Sequence, residues 1–160
     1  MSPDASATLV ISPPQFLTHW QAHRRLTRRT IAAFPDDQLF TFAVGGMRPF
    51  GALANEMLGM AVPTVHGVIT DTWDSYVPGA ATTKDEVLAQ WDENTRQLDT
   101  IFAQIPIERF QVVMTAFGQW TMPGYDLLLY IVDNEIHHRG QGYVYLRALG
   151  IEPPPFYDRS

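Results

Sequence analysis

An all-α four-helix bundle is the fold class this sequence predicts, and three observations predict it. Four segments of about 20 residues carry apolar side chains at spacings of three and four. Stretches bearing proline and glycine separate them. The chain has 160 residues, is 46% apolar and contains no cysteine. That is enough for one domain over 1–160 with a sizeable core, and it leaves no disulfide framework. Helices of that length reach about 30 Å and hide their apolar stripes by packing on one another.

The first segment runs from about Pro14 to Ala33. Pro13 and Pro14 suit a helix start, and Phe16, Trp20, His23, Thr27 and Ile31 share a face. Residues 1–12 are expected to form a loose N-terminal extension. The second segment begins near Pro49 and aligns Leu53, Met57 and Met60; Pro63 is expected to kink or end it. The third opens with Thr83-x-x-Glu86, the signature of a reciprocal cap. Its stripe of Val87, Leu88, Trp91, Leu98, Ile101 and Ile105 runs on until Pro106 stops it. Between Ile107 and Met122, the run Phe110–Phe117 is rich in strand formers and predicts at most one short extended piece, with no sheet. The fourth helix is read from Tyr125 to Leu149, closed by Gly150 and by Pro153–Pro155. Connections of about 12 to 19 residues are longer than simple neighbours need, so at least one is a crossover.

Net charge is −6, which argues against a phosphate-backbone binder and predicts no nucleic-acid partner. The start, Met-Ser-Pro-Asp, is acidic where a secretory signal is basic. The least charged stretch, Met57–Thr70, is broken by Pro63 and His66 and is short for a bilayer. A soluble, cytoplasmic protein without a membrane partner is the expectation.

The fourth helix concentrates possible ligands: Asp133, Asn134, Glu135, His137, His138, Arg139 and Gln141. Positions four apart share a helix face, so Asn134 pairs with His138 and Asp133 with His137. Two donors at that spacing suit a metal site inside a bundle, although asparagine is a poor zinc ligand. His19 and His23 repeat the spacing on the first helix, where a wet or half-buried face is the plainer reading. Arg24, Arg25, Arg28 and Arg29 read as a solvated face beside Asp36 and Asp37. Trp20, Trp73, Trp91 and Trp120 read as core or pocket lining. Gly140 and Gly142 cost about 1 kcal/mol each inside a helix and signal close approach of another helix.

The stretch Tyr130–Pro154, with its His-His-Arg-Gly-Gln block followed by Leu-Arg, Leu-Gly and Pro-Pro, closely resembles the last helix of DinB/YfiT-like proteins. Met47–Glu56, containing Arg-Pro-Phe-Gly, is similar to the stretch that leads into that family's first metal-binding histidine. The resemblance covers nearly the whole chain. It implies an up-down-down-up bundle, often a homodimer, with one histidine from helix 2 and a His-x-x-x-His pair from helix 4 around zinc or nickel. It also implies small-molecule chemistry such as thiol S-transfer, in a family linked to DNA-damage and stress responses. Carried onto this chain, the three ligand positions fall on Glu56, Asn134 and His138, and His138 alone keeps the histidine.

A Glu/Asn/His set is harder and weaker than three imidazoles. It favours manganese, magnesium or iron over zinc, or no metal, with nickel also among the ions it could hold. Two readings stay open. One is a metal-dependent enzyme of thiol-transferase or hydrolase type with an altered ligand set. The other is a metal-free dimeric bundle for small-molecule binding or interaction, in which an ionised Glu56 faces a protonated His138 across the Asn134 amide.

Overall fold

The structure, a computed structural model, describes residues 10–160. The expected N-terminal extension therefore falls, over residues 1–9, outside the described residues. Val10 and Ile11 are exposed, and Ser12 already belongs to the first helix as its cap.

Four helices form the architecture: α1 (Pro13–Ala33), α2 (Phe50–Thr70), α3 (Lys84–Ile101) and α4 (Gly124–Ala148). Local signals start two of them. The Ser12 hydroxyl accepts from the Gln15 N–H while the Gln15 side chain accepts from the Ser12 N–H. Thr83 and Glu86 do the same at α3, each pair satisfying two otherwise orphaned donors.

Of the two outcomes expected at Pro63, a kink or an end, the end does not occur. A proline costs a helix interior about 3 kcal/mol. Beyond it, however, Val65 and Val68 are fully buried with Thr64 and Gly67, and each valine stabilises by about 1.5–3 kcal/mol. Burial wins, and α2 continues until Asp71 takes a left-handed conformation. The segment before α4 also differs from expectation. After two short 3₁₀ turns at Phe102–Gln104 and Ile107–Phe110, strands β1 (Val113–Ala116) and β2 (Trp120–Pro123) pair as an antiparallel hairpin. Phe117 and Gly118 both have positive φ and the Gln119 N–H donates to the Ala116 carbonyl, the geometry that matches strand twist.

In the bundle, α1 and α2 each pack against both α3 and α4. Contacts fix the directions. Gln21 meets Asp99 while Arg28 meets Asp92, so α1 and α3 run antiparallel. Trp20 meets Glu135 and His23 meets Arg139, so α1 and α4 run parallel. Glu56 meets His138 while the Phe50 ring lies against Gly142, so α2 opposes α4. The order is up-down-down-up, and the links α1–α2 and α3–α4 both cross a bundle diagonal.

Two apolar clusters fill the interior. One gathers Trp20, Val65, Leu98, Phe102, Leu128 and Val132. The other gathers Ile31, Phe50, Met57, Val87, Trp91 and Tyr145. Between them lies a charged layer that the sequence reading placed in water. Arg24 is 1% exposed and Glu135 2%. The Arg24 guanidinium stacks 4.2 Å above the Trp91 ring, donates to Thr95 Oγ1 at 3.0 Å and lies 3.8 Å from Glu135 Oε2. Arg28 forks onto Asp92 and Arg29 reaches Asp158. The four arginines are thus mostly partnered, because α3 and the C-terminal segment pack over this face. Among the described residues no helix is long and apolar enough to cross a membrane.

Candidate functional site

The site is built where α2 and α4 pass in opposite directions. Their antiparallel packing brings Glu56 from the second turn of α2 against Asn134 and His138, one turn apart on α4. The three residues singled out by the resemblance therefore meet. His138 Nε2 lies 2.9 Å from Glu56 Oε1. The Asn134 Nδ2 lies 3.2 Å from the same oxygen and 3.2 Å from His138 Nε2. The other face of the imidazole is held by Gln141, whose Oε1 is 2.8 Å from Nδ1. The remaining Glu56 oxygen takes an ion pair from Arg48 Nη1 at 2.6 Å.

His138 is buried, and Glu56 is partly so. Burial by itself would raise the Glu56 carboxyl, but hydrogen bonds from His138, Arg48 and Asn134 outweigh it and hold its pKa below the ordinary carboxylate value. A cavity of about 300 Å³ opens beside Glu56, walled by Arg48, Ala52, Tyr76 and Pro78. Tyr76 and Pro78 come from the connection after α2, which folds back along that helix. Gly59 and Gly67 let it approach: a Cβ at either would overlap the Val77 carbonyl or the Trp73 ring.

The donor set bears on whether a divalent ion fits. Glu56 Oε1, His138 Nε2 and the Asn134 amide form a triangle with edges of 2.9, 3.2 and 3.2 Å. Ligands about 2.1 Å from a common ion at right angles are about 3 Å apart, so the triangle has the size of one face of an octahedral sphere. Half a turn of the Asn134 amide puts Oδ1 at the vertex now held by Nδ2. The Nδ1–Gln141 bond gives His138 the outer-sphere orientation that a metal-binding imidazole needs, and a bound ion would take the place of the Nε2 proton that Glu56 now accepts. The residues fit a hard divalent ion. Among the described residues no three His, Cys, Asp or Glu side chains converge, so the trio depends on the asparagine.

The other sequence candidates are dispersed. His19 and His23 stand edge to face at 4.6 Å. His23 is engaged by Arg139 Nη2 and Arg159 Nη1 at 3.0 Å each, in place of a shared ion with His19. His66 is exposed on the groove beside Trp73. His137 is exposed next to the His138 ring, with no packing role. Arg139 ties α4 to His23 and Thr27 of α1 in place of a carboxylate. Gly142 answers a close approach, by Phe50, whereas a Cβ at Gly140 would meet nothing within 4 Å. Trp20 and Trp91 are core; Trp73 and Trp120 line cavities. Sequence reasoning missed two groups at the site. Arg48 lay inside the quoted Met47–Glu56 block, and Tyr76 lies in a connection with no periodicity to mark it.

Fold and site together define a four-helix bundle of up-down-down-up order with a polar trio bridging its second and fourth helices. The DinB family is the match: its family model covers residues 1–160, and the chain belongs to that family. Solved structures agree at the level of fold. A DinB-like protein from Bacillus subtilis superposes with a TM-score of 0.70 at 20% identity, over 90% of this chain and 97% of that one. A DinB-like protein from Bacillus cereus gives 0.69 at 18%, over 90% and 97%. A mutant of the mycothiol-dependent maleylpyruvate isomerase gives 0.64 at 12%, over 82% of this chain and 60% of that one. No curated protein sequence matches.

Proposed function

We propose that this DinB-family protein holds a divalent ion at Glu56, Asn134 and His138 and acts on a small molecule in the adjoining cavity. The observation that carries the proposal is the triangle of three donor atoms, sized like a coordination face, one of whose members, Glu56, also lines that cavity. A bound ion would supply Lewis acidity and lower the pKa of a thiol or water. The chain's own residues do the rest. Gln141 fixes the His138 ring, Arg48 holds the second Glu56 oxygen, and the strap bearing Tyr76 and Pro78 walls the cavity. The oxygen-rich set favours manganese or iron over zinc or nickel. Likeness to the mycothiol-dependent isomerase supports thiol-assisted chemistry as the first class to screen, with hydrolysis second. A cytoplasmic, stress-related setting belongs to this proposal too, resting on the family.

A rival reading rests on a specific observation: Arg48, Glu56, His138 and Gln141 already satisfy one another as a closed chain. That arrangement suits a metal-free ligand-binding or interaction module. Calorimetric titration of untagged protein with Mn²⁺, Fe²⁺, Ni²⁺ and Zn²⁺ separates the two. The expected result is one equivalent of a metal whose binding is lost in His138→Ala and weakened about 10- to 100-fold in Gln141→Ala. Absence of binding by all four ions overturns the metal reading in favour of the metal-free module.

A further inference from the structure

Two charged side chains line the cavity beside the trio, Arg48 and Glu56, and they are used unequally. Both Glu56 oxygens are occupied, Oε1 by His138 and Asn134 and Oε2 by Arg48. Its charge is already matched by Arg48. Arg48 is different. A guanidinium carries five N–H donors in a planar fork, and its bond to Glu56 runs through Nη1. The side chain is 55% exposed and lines the cavity, and among the described residues Nη1 alone meets a carboxylate.

A second donor, Tyr76, lines the same cavity. Burial, then the negative charge of Glu56, push the Tyr76 phenol up to about 12. At neutral pH it is an O–H and donates. Both donors are held in place by backbone contacts. The Tyr145 hydroxyl donates to the Arg48 carbonyl at 2.9 Å. The strap that carries Tyr76 is pinned to α2 where the Gly79 N–H donates to the Asn55 carbonyl at 2.7 Å and Asn55 Nδ2 donates to the Ala81 carbonyl at 2.8 Å. The remaining wall, Ala52, Asn55, Pro78 and Gly79, carries no charge. A volume of about 300 Å³ is at the small end of ligand cavities.

We infer that this cavity takes a small oxyanion, the carboxylate or phosphate group of a small molecule, between the open edge of the Arg48 guanidinium and the Tyr76 hydroxyl. The inference rests on the trio's cavity being a small-molecule site, but not on a metal being there. Guanidinium matches planar and tetrahedral oxyanions through paired, charge-assisted bonds. A neutral ligand would leave the fork unused, and a cation would meet Arg48 head on. The anion would lie within reach of the Glu56–His138 edge, so that the recognised group anchors the molecule beside the proposed ion.

The test uses the full chain in EDTA, titrated calorimetrically with acetate, succinate and inorganic phosphate. At least one probe is expected to bind to a single site. Arg48→Gln should weaken it about tenfold or more, with recovery in Arg48→Lys to within a few-fold of wild type. Tyr76→Phe, which removes one oxygen and leaves the ring, should weaken it about 3- to 10-fold. Unchanged thermal midpoints in the variants keep the comparison on binding. Binding that survives both substitutions overturns the inference, because the anion then sits elsewhere. A wild-type chain that binds none of the probes up to tens of millimolar also overturns it. If that same chain takes up metal, the site reading stands and only the anion falls; if it takes up neither, both fall.

Discussion

Buried on α1, His23 lies between two guanidinium groups, with Arg139 Nη2 3.0 Å from Nδ1 and Arg159 Nη1 3.0 Å from Nε2. Burial first, then the positive charges of Arg139, His19 and Arg159, lower its pKa from 6.5 to about 4. The neutral ring is therefore the folded form at pH 7. Between those two values the unfolded chain binds a proton that the folded chain does not. Stability thus falls as pH drops through that window, by up to about 3 kcal/mol for this one group. Glu56 works in the same direction at lower pH. Its pKa is depressed in the fold, so its contribution is present above the ordinary carboxylate value and is lost as acid protonates it. Urea unfolding at pH 7, 5.5 and 4.5 should show the loss beginning near pH 6.5. His23→Gln should flatten the upper part of the profile; the same slope in variant and wild type would remove His23 as its source. Nothing in the spacing of His19 and His23 foretells this, because both guanidinium partners come from distant parts of the chain.

At the scale of elements, the charged layer between the two apolar clusters ties α1, α3 and α4 together. Glu135 accepts from Trp20 Nε1 at 3.2 Å and from Thr27 Oγ1 at 2.7 Å, and it faces Arg24 from 3.8 Å. Among the described residues Arg24 Nη1 has no hydrogen-bond partner of its own, so Glu135 is its electrostatic counterweight in the interior. Glu135→Ala should cost about 3–5 kcal/mol, since it leaves a buried cation uncompensated. Replacing both partners, as Arg24→Met with Glu135→Leu, should recover most of that loss. Denaturant midpoints check both, and a double variant as unstable as the single one would show that the layer is held by shape rather than charge. This layer also marks how far the sequence can be read. The helix start at Thr83 was legible because its signal lies within three residues, whereas the Ser12–Gln15 cap was hidden inside the expected N-terminal extension. Glu56, Asn134 and His138 were legible because the residues around them carry the family pattern. At Pro63 the sequence left a kink and an end both open, because the answer depends on burial of Val65 and Val68 by other helices. The hairpin was misread because Gly118 supplies its turn with only half of the usual signal, a phenylalanine occupying the other left-handed position. Arg24 was misread because a run of four arginines looks solvated until α3 covers it.

For the molecule as a whole, one face of α4 has no covering element among the described residues. Tyr125, Leu129, Ile136 and Val144 are exposed along it, Val144 by 54%. At 100° per residue they form one stripe with Asp133, Gly140 and Arg147. Gly140 lies at its centre, where a Cβ would meet nothing within 4 Å. A mid-helix glycine costs about 1 kcal/mol, and no contact within the chain accounts for it. The homodimer implied by the family resemblance is a proposal that this face makes specific. If two copies of α4 cross antiparallel with Gly140 against Gly140, Ile136 packs on Val144 and Asp133 comes opposite Arg147 of the second copy. The stripe is thus self-complementary in both shape and charge, as a two-fold interface requires. A stable dimer of ordinary size buries about 800 Å² on each partner, which α4 reaches only with help from its flanks, where Tyr130 and His137 are exposed. Sedimentation equilibrium at micromolar concentration should give a dimer. Gly140→Trp should split it, because the helices can no longer approach. Asp133→Arg should weaken it, and Asp133→Arg with Arg147→Asp should restore it. A wild-type chain that sediments as a monomer would rule out the α4 dimer. A dimer indifferent to Gly140→Trp would place the interface on another face and leave the glycine unexplained.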